Sequence, residues 1–188
     1  MKAEFESLKN HFLIAMPSLT QGIFAHSLTY LCEHNEQGAM GIIINRPMGL
    51  ALGEILEHLN IDGVRHHSED PVMAGGPVQT DRGFVLHPTG EQQWESTRSI
   101  TEEISLTTSR DILDALAHNE GPASALVALG YAGWGAGQLE SELVANSWLT
   151  IPADSAIIFD TPAEKRLDAA AAKLGIDLSL LAPGAGHA

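Results

Sequence analysis

The sequence predicts one domain of mixed helix and strand, and three observations carry this. The chain has 188 residues, the size of one domain with room for a smaller interleaved subdomain. Its longest apolar runs, 39–44 and 123–129, have strand length and fall well short of the roughly 20 residues that cross a bilayer. Leu52, Ile55, Leu56 and Leu59 instead recur at the spacing of an amphipathic helix.

The elements follow in order. Phe12-Leu13-Ile14-Ala15 is a short buried strand stopped by Met16-Pro17. Residues 27–34 alternate Leu28, Tyr30 and Cys32 with Thr29, Leu31 and Glu33, and Asn35-Glu36-Gln37-Gly38 turns the chain into a return arm over 39–45. Consecutive Ile42, Ile43 and Ile44 suggest a strand covered on both faces. After Arg46-Pro47 comes a helix over 51–60, then a polar loop over 62–70 holding His66-His67. Strands flank Gly75-Gly76-Pro77 and lead through Arg82-Gly83 into Phe84-Val85-Leu86-His87. A weaker strand pair is expected at 94–97 and 104–107.

Thr108 with Asp111 resembles a capping box for a helix over 110–119, which Gly121-Pro122 ends. The apolar strand from Ala123 passes Gly130, Gly133, Gly135 and Gly137 into a helix over 138–145. Strands are expected at 148–151 and 156–159. Thr161-Pro162-Ala163-Glu164 combines an N-cap Thr, Pro at the first helical position and Glu at the third, so a helix runs from there to Leu174, with Gly175 as its stop. Residues 1–182 thus form one domain, and 183–188 a mobile tail.

Composition narrows the function. Against 24 acidic residues stand 10 basic ones, a formal net charge of -14, which is repelled by phosphate backbones and anionic lipid. Direct nucleic-acid binding is disfavoured, and no membrane association is expected. Cys32 is the single cysteine, so no intramolecular disulfide forms. The N-terminus lacks the apolar core of a secretion signal, and a cytoplasmic protein is expected. Nine histidines are present, without the spacing of a ligand set, so neither a metal nor a cofactor is expected. No Gly-x-Ser-x-Gly elbow supports serine chemistry.

Two constellations remain. The glycine segment has the layout of a binding loop leading to a helix start, where exposed backbone N–H groups hold an anion. Its spacing fits neither a dinucleotide fingerprint nor a Walker A loop. Arg46, Arg82 and Arg110 each stand at an element boundary and could converge on Gly130, Gly133, Trp134, Gly135 and Gly137 to hold a carboxylate or phosphate. The competing readings are a packing turn for the glycines, ordinary ion pairing for the arginines and a core position for Trp134. The second constellation is Cys32 two residues before His34, on one face of a regular strand, where an imidazolium would lower the thiol pKa. Its alternative is a buried structural cysteine.

Taken together, Leu13-Ile14-Ala15-Met16-Pro17, Cys32-Glu33-His34-Asn35, Gly38-Ala39-Met40-Gly41, Asn45-Arg46-Pro47, Gly75-Gly76-Pro77-Val78, Arg82-Gly83-Phe84-Val85-Leu86-His87, Thr107-Thr108-Ser109 and Gly130-Tyr131-Ala132-Gly133-Trp134 to Glu140 closely resemble the AlgH family, also called the YqgE family, of bacterial cytosolic proteins. The resemblance implies an α+β fold whose bifurcated mixed sheet folds into a pseudo-barrel with flanking helices. It also implies a family named for a proposed role in regulating alginate synthesis genes, with no settled activity, cofactor or catalytic residue. Two departures stand out: Gln21-Gly22 replaces a common Asp-Pro, and Leu167 a frequent tryptophan. The expected function is therefore that of a regulatory or ligand-binding component, with a small anionic ligand or a protein partner. The alternative is a thiol-dependent activity at Cys32.

Overall fold

The computed structural model describes residues 4–19, 22–63 and 67–181. His66, Gln21 and the tail over 183–188, each singled out from the sequence, lie outside them. The strands are β1 (His11–Ala15), β2 (Leu28–Asn35), β3 (Gly38–Ile43), β4 (Pro47–Ala51), β5 (Pro71–Ala74), β6 (Val78–Pro88), β7 (Thr97–Ser99), β8 (Ile104–Thr107), β9 (Leu126–Gly135) and β10 (Trp148–Pro152). The helices are α1 (Leu52–His58), α2 (Asp111–Ala117), α3 (Gln138–Val144), α4 (Ser155–Phe159) and α5 (Ala163–Lys173), followed by a 3-10 turn at Leu178–Leu181.

The sheet runs in the order β10-β1-β2-β3-β9-β6-β8-β7 and divides at β9. The first half of β9 pairs antiparallel with β6, Leu126 opposite Leu86 and Val127 opposite Val85. Its other edge is shared. Ala128 and Leu129 pair in parallel with Met73 and Ala74 of β5, whereas Ala132 to Gly135 pair with β3. Strand β4 extends the branch from β5. This is the bifurcated mixed sheet of an α+β fold, curled into a half-barrel accompanied by five helices.

Strand alternation sorts side chains into three cores. Phe12, Ile14, Leu28, Tyr30, Ile42, Phe84, Leu86 and Ala128 fill the inside of the curl, closed by Ile157 and Ile158 of α4 and Ala170 of α5. Leu167, at the position of the expected tryptophan, packs against that core. On the outer face, Val85 and Val127 pack under α1 and α2. Leu13, Leu31, Ala132 and Trp134 pack under Leu139 of α3. The successive isoleucines behave as expected of a strand covered on both sides, and Ile42, Ile43 and Ile44 are all fully buried.

Four local expectations are corrected. Residues 155–159 form helix α4, not a strand, because the Asp154 carboxylate accepts the Ala156 amide at 2.9 Å and caps a turn. β3 ends at Ile43, before Arg46-Pro47, but a strand not expected there, β4, begins at Pro47 ahead of the helix. Thr108 does not cap α2: Arg110 holds the N-cap position without a side-chain bond, and Thr108 Oγ1 accepts from Arg82 instead. Likewise Pro162, not Thr161, is the N-cap of α5.

Candidate functional site

The glycine segment is strand for most of its length. Gly130, Gly133 and Gly135 lie within β9, and Gly137 alone stands outside it, in the left-handed conformation that opens α3. Gly130 has a φ of +80°, and a Cβ there would sit 2.4 Å from the Gly76 carbonyl oxygen. A Cβ on Gly76 would meet the Tyr131 carbonyl carbon at 2.0 Å. These glycines let two backbones touch at the branch of the sheet, which is the packing role rather than the binding role.

Trp134 is buried among the molecule's own rings. Its centroid lies 6.1 Å from Trp148 and 6.2 Å from Phe24. Both indole N–H groups donate to one carboxylate oxygen, Glu142 Oε1, at 3.2 Å from Trp134 and 3.1 Å from Trp148. The bend is therefore filled from within.

The three arginines do not converge on it. Arg46 donates to the Ala25 carbonyl at 2.8 Å and holds the loop before β2, beside Asn45, which accepts the Leu28 amide and donates to His26. Arg110 donates to the Leu59 carbonyl at the end of α1. Arg82 points elsewhere, into the crevice described below.

The geometry also runs against a reactive thiol. Leu31 pairs with Gly41 and Glu33 with Met40, so Cys32 is the extra residue of a β-bulge. The bulge breaks alternation. Cys32 packs inside the curl with Tyr30, whereas His34 reaches Glu140 of α3 on the other face. Burial pushes the Cys32 thiol up to about 12, with Arg98 pulling down and Glu33 pushing up. His34 Nδ1 accepts the Leu8 amide at 2.8 Å, so its proton sits on Nε2 and is donated to Glu140 at 2.6 Å. Partial burial works against the Glu140 carboxylate, yet that hydrogen bond holds its pKa below the ordinary value. His34 thus ties the N-terminal segment to α3.

A different crevice gathers charge. It holds about 370 Å³ and is lined by Arg82, Arg98, Ser96, Thr97 and Thr108 above Met40, Phe84 and Leu106. Arg82 lies with its guanidinium carbon 5.5 Å from the Phe84 ring centre and donates to Gln79 at 3.2 Å and Thr108 at 3.3 Å. Arg98 donates to Glu33 at 3.2 Å. Each guanidinium carries five N–H groups, so both retain donors.

Behind Thr97 runs a buried chain. The Trp94 amide donates to Thr97 Oγ1 at 2.8 Å, which lies 2.8 Å from Thr107 Oγ1, itself 2.7 Å from His87 Nε2. His87 Nδ1 lies 2.9 Å from the Pro88 carbonyl, an acceptor, so Nδ1 carries the proton and Thr107 donates to Nε2. Burial lowers the His87 pKa, so the neutral ring is the native form. Of the predicted ligand-binding residues, only Arg82 lines this crevice. Arg98, Ser96, Thr97 and Thr108 were missed; the signal available was a second cation among hydroxyls in a chain poor in cations.

His67 pairs with Asp70 at 2.9 Å. Among the described residues, no group of three or more His, Cys, Asp or Glu is placed to hold a metal ion, and no helix is long and apolar enough to cross a membrane.

Comparison with known proteins places this geometry in a family. A UPF0301 protein of Saccharophagus degradans is 59% identical over 185 residues, 98% of this chain and 91% of its own length. The UPF0301 protein AlgH of Pseudomonas aeruginosa is 57% identical over 183 residues, 96% of each chain. The solution structure of AlgH from that organism covers both chains completely, with a TM-score of 0.78 at 55% identity. A crystal structure from Corynebacterium diphtheriae reaches a TM-score of 0.73 at 16% identity over 97% of this chain and 95% of its own, a likeness of fold alone. The AlgH-like family model matches residues 12–179, and the chain belongs to that family.

Proposed function

We propose that the protein is a cytosolic regulatory component that binds a small anionic metabolite in the Arg82–Arg98 crevice and carries out no chemistry on it. One observation carries this reading. In a chain with 10 basic residues against 24 acidic ones, two guanidinium groups and three hydroxyl side chains line one crevice. Its volume is that of a small-molecule site, and its apolar floor of Met40, Phe84 and Leu106 lowers the dielectric around a bound carboxylate or phosphate. Arginine forks suit both groups. Any effect on transcription then passes through the sensed ligand or a protein partner, since the net charge of -14 opposes contact with DNA.

Thermal shift against panels of carboxylates, phosphates and nucleotides tests the reading. An anion at 100 times its dissociation constant stabilises the fold by about 2.7 kcal/mol. Arg82→Ala and Arg98→Ala each remove most of that gain while leaving the unliganded protein folded. Absence of a response across all three panels would overturn the proposal.

A further inference from the structure

Strand β6 presents two different chemistries to its two faces. Arg82 and Phe84 line the cationic crevice, whereas Asp81 and Gly83 line a second recess of about 540 Å³ on the opposite face. That recess lies at the margin of the core under α1 and α2. Ile55 and Leu59 come from α1, Leu113 from α2, and Val127 and Leu129 from β9. Its titratable lining groups are Glu54, His58 and Asp81. Among the described residues, no lysine or arginine lines it. The nearby Arg110 is engaged on the Leu59 carbonyl, and Asp81 has no ion pair among the described residues.

We infer that this recess is a binding site for a small organic cation, an aliphatic body carrying an ammonium group. The aliphatic walls take the body, and Asp81 with Glu54 takes the charge. Glu54 Oε2 already accepts the Ala51 amide at 2.8 Å, which orients the carboxylate, and its other oxygen has no ion pair among the described residues. The volume falls in the range of small-molecule sites, mostly apolar with a few placed polar groups. A protein partner fits less well. Such an interface needs an apolar centre spread over several hundred Å² per side. Among the described residues, the large exposed hydrophobic side chains, Phe5, Met48, Val78, Val144, Leu174 and Leu180, are not lining residues of the recess.

Gly83 supplies a clean test. Gly83 lines the recess and a Cβ built on it meets nothing within 4 Å, so a side chain can start there without a clash at its first carbon. The experiment follows the methyl signals of Ile55, Leu113 and Val127 by NMR at neutral pH. Probes are n-alkylamines from butyl to decyl, with octanoate and octanol as controls of equal body. Octylamine should shift these methyls, with affinity rising about threefold to fourfold per methylene until the recess is full. Octanoate should leave them unmoved. Gly83→Leu should abolish the shifts with the thermal midpoint preserved, and Asp81→Asn should weaken octylamine about fivefold.

Should Gly83→Leu not fold, the exposed charge reversal Asp81→Lys replaces it, and octylamine binding must then fall while octanoate binding appears. Arg82→Ala must leave amine binding unchanged, which separates this site from the anion crevice. Equal binding of octanoate and octylamine to the native protein would overturn the charge assignment, and unmoved methyls at millimolar amine would overturn the site. A Lys-Leu amphipathic peptide that shifts the same methyls at lower concentration than any amine would assign the recess to a protein segment instead, and overturn the small-molecule reading.

Discussion

At the scale of the residue, Cys32 shows how one inserted position decides reactivity. In a regular strand its side chain would share a face with His34. The bulge at Cys32 sends the imidazole to α3 and leaves the thiol inside the curl. A reactive thiolate needs exposure and a positive neighbour. Cys32 is 2% exposed, and burial outweighs the pull of Arg98, so the thiol stays protonated at neutral pH. A colorimetric thiol reagent at pH 7.5 should therefore label the native protein no faster than the fold opens, and should label it fully in denaturant. Rapid native labelling would contradict the geometry. The same burial has a pH consequence. The thiol ionises in the unfolded chain near its ordinary value of 9.0 and in the fold at about 12, so its contribution is complete below pH 9 and is lost as pH rises to 12.

At the scale of the element, β9 and α3 act as one clamped unit. Glu142 of α3 accepts from Trp134 of β9 and from Trp148 of β10, joining two strands that lie far apart in the sheet order. The Gln138 side chain adds a bond from the Gly135 amide at 3.0 Å and another to Glu142 at 3.3 Å. Two indoles and one carboxylate thus do what a sheet ladder does elsewhere, and they do it in a buried aromatic cluster where each ring contact counts. Trp134→Ala should cost about 3–5 kcal/mol in a denaturant titration. Anion binding at Arg82 and Arg98 should persist in whatever fraction remains folded. Loss of anion binding without loss of stability would return Trp134 to a ligand-binding role.

At the scale of the whole molecule, the charge distribution governs partners. The net charge of -14 repels DNA, and several of the cations are engaged within the fold: Arg46 and Arg110 on carbonyls, Arg166 buried on the Ile44 and Thr161 carbonyls, and Lys173 on Asp154. Arg82, bonded to Gln79 and Thr108, and Arg98, paired with Glu33, keep further N–H donors and line the cationic crevice. A gel shift with duplex DNA at 50 mM salt should show no complex at micromolar protein, since non-specific binding depends on releasing phosphate counterions to a basic surface. A salt-sensitive complex would place the function on DNA directly and displace the metabolite reading.

What the sequence determined by itself was local. A short apolar run located β1, alternation located β2, consecutive isoleucines located β3, helical spacing located α1, and turn and stop residues located the hairpin and the end of α5, because each signal is written within a few neighbouring residues. The family's motifs added the branched, curled sheet. Only the tertiary structure decided which glycines touch another backbone, that residues 155–159 form a helix capped by Asp154, and that Arg82 and Arg98 line one crevice while Arg46 and Arg110 bond elsewhere. Those outcomes depend on strand register and on a single bulge, and a shift of one residue in a strand moves every later side chain to the opposite face. No local pattern encodes that choice.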